Sequence, residues 1–149
     1  YHLLHSERCR HQATNLHSKG HRMRITQKRL PSVSEGMLVK FNSSNTLEPY
    51  DGSGTAQGIA SNCRTVQIQD DPDQPAVDVL VCELVIDGAV NVLIDGAVSS
   101  QGASFGASST AGQLAVGATP TLGRVLPQPW SNTTDRVAGL VPALLCMVD

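Results

Sequence analysis

A chain of 149 residues with 40% apolar but only 3% aromatic content fills one domain core, and must do so with Val, Leu, Ile and Ala rather than rings. Its net charge of −2 hides a split: residues 1–30 hold seven of the 11 Lys/Arg against a single acid, Glu7, and residues 31–149 hold twelve of the 13 Asp/Glu. This predicts a basic N-terminal arm over 1–30 joined to an acidic globule over 31–149. No run reaches the roughly 18 apolar residues of a membrane span, and the basic start lacks the apolar stretch of a secretory signal.

The arm contains all five histidines, together with Cys9. Cys9, His11, His17 and His21 are zinc-type ligands, but their intervals match no finger spacing, so neither metal nor cofactor is expected. The basic residues Arg8, Arg10, Lys19, Arg22, Arg24, Lys28 and Arg29 are the candidate partner contacts. Only Tyr1 accompanies them as a ring, so base stacking has no platform, and an acidic protein surface is preferred to nucleic acid. Met23 opens MRITQKRL and reads as an alternative start.

In the globule, Gly36–Phe41 and Thr46–Tyr50 read as strands around a polar turn at Asn42–Asn45. Ala56–Ala60 is a short apolar element, and Arg64–Gln69 alternates like a strand. Asp70–Pro75 is an acidic loop, without the glycine and terminal glutamate of an EF-hand. The most apolar stretch, Val77–Val98, repeats Ile-Asp-Gly-Ala-Val. It predicts strands over 77–86 and 89–95 joined by a tight turn at Asp87-Gly88. Ser99–Thr121 is rich in small residues and predicts turns and very short strands anchored by Phe105, Leu114 and Val116. Gly123–Leu126 is a further strand, and Val137–Val148 a closing strand pair or bent strand with Pro142 at an edge or bulge. With twelve of the 13 glycines after residue 30, the whole predicts an all-β fold, a small antiparallel barrel or sandwich.

Catalysis finds little support. No histidine follows residue 21, so the globule holds no imidazole base. No G-x-S-x-G or phosphate loop is present. Asp87 and Asp95 read as turn residues rather than paired catalytic carboxylates. Asn42-Ser-Ser44 and Asn132-Thr-Thr134 match glycosylation acceptors, which matters only in a secreted protein. Cys82 and Cys146 lie in apolar runs and read as small buried hydrophobes, with reduced thiols the expected state.

The order of elements resembles the capsid cement, or head decoration, proteins of tailed bacteriophages. The matching positions are the Gly36-Met-Leu-Val39 strand, the short Gly58-Ile-Ala60 element, and Val79–Val85 leading into Gly88-Ala-Val90-Asn-Val92. The Gly/Ala-rich Gly102–Gly123 and the apolar Val137–Val148 complete it. The resemblance covers residues 33–149 and leaves out the arm and the Asp70–Pro75 loop. It implies a non-enzymatic virion protein, commonly a trimer, assembled in the host cytoplasm. Such a protein would bind the outer surface of an expanded shell and clamp neighbouring major capsid protein subunits. The alternative is a fibre-base or adhesin-like β domain that binds a host surface or glycan, with Trp130 as the sugar-stacking ring.

Overall fold

The computed structural model describes residues 23–96, 98, 102–126 and 139–147. These residues form nine strands: β1 (Met23–Lys28), β2 (Leu38–Phe41), β3 (Leu47–Pro49), β4 (Gly58–Ile68), β5 (Val77–Ile94), β6 (Ser104–Ala107), β7 (Leu114–Val116), β8 (Gly123–Val125) and β9 (Gly139–Cys146). Among the described residues there is no helix, and all neighbouring strands run antiparallel except one parallel contact between β5 and β7. The all-β architecture expected from glycine spacing and β-branched content is therefore what the chain adopts.

The fold is organised around β5, and here the sequence expectation is corrected. Asp87-Gly88 does not turn the chain back into a hairpin; an uninterrupted strand runs from Val77 to Ile94. Gly88 adopts φ 94, a backbone state that side chains rarely take and that bends a strand without ending it. The reason lies in the neighbours. Asp87 pairs with both Met23 of β1 and Cys146 of β9, so both edges of β5 are occupied where a turn would need one of them for its own return strand.

Two more expectations change. Residues 23–28 are not part of an arm: β1 pairs along β5 from Met23↔Asp87 to Lys28↔Val81. The elements expected at 56–60 and 64–69 are one strand, β4, interrupted by a bulge where register slips between Ser61 and Arg64. The closing segment is a single strand, β9. Pro142 sits in it where β8 has just ended, and its carbonyl accepts from Leu126 N at 3.0 Å. The missing proline N–H therefore faces the end of β8 rather than β5, so the long β5–β9 ladder loses no bond to it.

Strands β5, β7, β6, β8 and β9 pair in succession, and β9 returns to β5. This closes a five-stranded ring. Towards its N-terminal end β5 carries β4, β2 and β3, and a parallel bridge from Arg29 to Leu47 links the end of β1 back to β3. Two ring-like assemblies thus share β5, and each has its own core. The larger core gathers Leu38, Ile59, Val85, Val90, Val92, Ile94, Phe105, Leu114, Val125, Val141 and Leu145. The smaller gathers Val33, Val39, Leu47, Ala60, Cys82 and Leu84. Alternation explains the division: Leu38, Ile59 and Val85 face one core, and their chain neighbours Val39, Ala60 and Leu84 face the other. Each fully buried Val, Leu or Phe contributes about 1.5–3 kcal/mol. Phe105 and Leu114 are fully buried, as expected of anchors, but Val116 is exposed.

Gly36 joins the two halves. Its N–H donates to Ala60 O at 2.8 Å and its carbonyl accepts from Leu93 N at 2.9 Å. It adopts φ +83, and a Cβ there would lie 2.9 Å from the Leu93 backbone nitrogen, so no side chain fits this crossing.

Candidate partner-binding surface

Of the seven basic residues expected at a partner interface, Arg8, Arg10, Lys19 and Arg22 lie outside the described residues, and of Arg24 only the backbone is described. Lys28 is exposed at the end of β1. Arg29 is half-buried and hydrogen-bonded within the fold. Its Nε donates to Val81 O at 2.9 Å, Nη1 to Val33 O at 3.2 Å and Nη2 to Arg64 O at 3.4 Å. A guanidinium with this many internal acceptors ties β5, β4 and the loop before β2 together. Its guanidinium is thus engaged within the fold, a bracing role that sequence reasoning did not foresee. Trp130 and Asn132 also lie outside the described residues.

The surface that stands out was not singled out by sequence reasoning. Beyond Arg64↔Val81, β4 and β5 continue as a two-stranded hairpin through Thr65↔Leu80, Val66↔Val79, Gln67↔Asp78 and Ile68↔Val77. Among the described residues no other strand pairs with this part of either strand. At about 3.3 Å per residue, residues 65–68 carry it roughly 13 Å past the neighbouring strands. One face of the hairpin is an apolar ladder of Val66, Ile68, Val77 and Val79. Ile68 is 41% and Val77 61% exposed, although they lie directly opposite each other. The signal was available in the sequence as alternating Val66/Ile68 and Val77/Val79 on either side of the Asp70–Pro75 loop.

The tip of the hairpin is acidic and well formed. Asp71 accepts from Asp73 N at 3.0 Å through its side chain and from Gln74 N at 3.0 Å through its carbonyl. Gln69 Nε2 donates to Gln74 O at 2.8 Å and Pro72 O at 3.3 Å. The loop is thus a hydrogen-bonded turn presenting Asp70, Asp71 and Asp73 to solvent. Among the described residues no group of three or more His, Cys, Asp or Glu is placed to hold a metal ion.

The root of the hairpin is the β4 bulge. Asn62 takes φ 52, and Asn62 N and Cys63 N both donate to the Glu35 carboxylate, at 2.8 and 3.1 Å. Asn62 Nδ2 donates to Glu83 Oε2 at 2.9 Å. Glu35 thereby satisfies two amides that the bulge takes out of the ladder. Arg29 and Glu35 brace the hairpin from below with opposite charges.

The remaining carboxylates of interest have structural tasks. Asp95 lies with Gly96 in the bend that ends β5, as its turn-residue reading expects. Its Oδ2 accepts from Ser108 Oγ and Thr110 Oγ1, each at 2.8 Å, and these bonds hold its carboxyl below the usual range. Lys40 Nζ pairs with Asp51 at 2.8 Å and donates to Ser53, and this pairing, with the Ser53 bonds, lowers Asp51 strongly. Cys63 and Cys82 are free thiols, whereas Cys146 is disulfide-bonded. The expectation of reduced thiols throughout therefore fails at Cys146, which is buried as expected but oxidised.

Among the described residues no helix is long and apolar enough to cross a membrane. Neither a protein-family model nor a curated protein matches this chain.

Proposed function

We propose that this chain is a structural virion protein that binds the outer surface of an expanded phage capsid and cements neighbouring major capsid protein subunits. The observation that carries the reading is the pairing of a closed β ring with a projecting hairpin that is apolar on one face and acidic at its tip. The ring leaves few edges for unintended pairing and makes a stiff body. The hairpin offers a compact apolar strip for docking on a neighbouring protein. The resemblance of residues 33–149 to cement proteins gives the same reading from the order of elements. The basic residues Arg8, Arg10, Lys19, Arg22, Arg24 and Lys28 supply a second contact of opposite sign, suited to acidic capsid surface. Many weak copies on one lattice then hold by avidity. A disulfide at Cys146 suits a particle exposed to oxidising surroundings outside the cell.

Co-sedimentation with expanded and unexpanded shells tests this, with light scattering for the expected trimer. Saturable binding to expanded shells alone is the expected result. Neutralising Arg8, Arg10, Arg22 and Arg24 together should lower occupancy and flatten its salt dependence. Absence of binding by a stable free oligomer would sink the cement reading and favour the fibre or adhesin one.

A further inference from the structure

Cys63 and Cys82 are free, close together and unequal in access. Register places Cys82 opposite the bulge, since Ser61 faces Glu83 and Arg64 faces Val81. Neighbouring antiparallel residues stand about 4.5–5.5 Å apart at Cα, inside the window of about 4.4–6.8 Å that a disulfide spans. Both side chains pack in the smaller core, Cys82 fully buried and Cys63 at its margin. We propose that Cys63 and Cys82 form a reversible dithiol–disulfide couple, oxidised by exchange with a small-molecule disulfide, with Cys63 as the entering thiol and Cys82 as the resolving one.

The exchange balances without a further reagent. The Cys63 thiolate attacks one sulfur of the small disulfide, whose S–S bond breaks, and the first small thiolate leaves and takes a proton. The Cys82 thiolate then attacks the Cys63 sulfur and expels the second small thiolate, which also takes a proton. Two protein thiols are oxidised, one small disulfide is reduced to two thiols, and a Cys63–Cys82 bond remains. That bond ties β4 to β5 at the root of the projecting hairpin, where the bulge removes ladder hydrogen bonds.

The surroundings set the rate. Burial, followed by the interaction of the thiols with each other, pushes Cys82 up to about 12, and burial also raises Cys63, against an opposing effect of the Arg29 charge. Both thiols are therefore protonated at neutral pH, and the exchange should speed up about tenfold for each pH unit in the neutral range.

The test incubates the native protein with oxidised glutathione and follows intact mass and linked peptides. The expected product has lost two hydrogens, carries no glutathione, and yields a Cys63–Cys82 linked peptide. Cys82→Ala should instead keep glutathione on Cys63, and Cys63→Ala should stay unmodified until denatured. Wild-type protein that stops at a glutathione adduct on Cys63, or that keeps both thiols after long incubation at raised pH, overturns the proposal without recourse to either variant.

Discussion

Val90 and Val92 sit near one end of β5, Val77 and Val79 near the other, and in sequence the two pairs look alike. Their fates differ. Val92 is fully buried in the larger core with Ile94, while Val77 is 61% exposed. The difference lies in what the topology brings to each end. At its C-terminal end β5 is paired with β9 along eight residues and meets β7 at Ile94, so the ring wraps its apolar face. At its N-terminal end, among the described residues, only β4 accompanies it past Leu80. Apolar alternation thus specifies a strand face, but long-range pairing decides whether that face becomes core or contact surface.

The comparison breaks most severely in the ring. Phe105 is the largest fully buried side chain among the described residues, and the chain has few other rings to share its volume with. Phe105→Ala should cost about 3–5 kcal/mol, read as a fall in chemical-denaturation midpoint. The smaller half is more dependent on a polar brace. Arg29→Ala removes the donors to Val81, Val33 and Arg64 carbonyls and should cost about 1–3 kcal/mol. Hydrogen exchange should quicken around the β4 bulge while β9 stays protected. Equal quickening in β9 would show that the two halves do not respond separately.

These predictions also mark what was legible beforehand. The β class followed from Val and Ile runs punctuated by glycine, and β2, β3, β8 and β9 fell close to their expected places, because each is short and bounded by local turn chemistry. Asp87-Gly88 misled for a physical reason. An Asp-Gly pair has the geometry of a tight turn, but a φ-positive glycine equally permits a bend in a strand whose two edges are already paired. β1 was hidden because MRITQK is flanked by basic residues, so local charge outweighed a pattern whose partner is about sixty residues away in β5. Arg29 looked like one more arm cation. Nothing local reveals that three carbonyls from distant segments converge on it.

At the hairpin the comparison predicts the reverse of the ring. Ile68→Thr and Val77→Thr keep β-branched residues in the strands and replace exposed methyl groups. Stability should move by less than about 0.5 kcal/mol, measured by thermal melting. Under the proposed function, occupancy on expanded shells should fall clearly. A double variant that melts normally and binds normally would remove the hairpin from the interface.

The smallest effect concerns the seam of the ring. Its closure from β5 to β7 rests on one pair, Ile94↔Leu114, with Asp95 N donating to Leu114 O at 2.7 Å. The Asp95 carboxylate reinforces this by accepting from Ser108 and Thr110 in the loop that leads into β7. Those bonds favour the ionised form and depress the Asp95 pKa below its ordinary 3.8. The folded state therefore binds fewer protons than the unfolded chain near this value, so the contribution is present above about pH 4 and is lost as pH falls through the lowered folded value. Because the group is solvent-exposed, the change should appear as local opening rather than global unfolding. Amide exchange at Asp95, corrected for its intrinsic pH dependence, should lose protection on acidification before β9 does. Asp95→Asn should show weaker protection at neutral pH and little further change in acid. Retention of the wild-type acid response in that variant would move its source to the Lys40–Asp51 pair, whose carboxylate is depressed in the same direction.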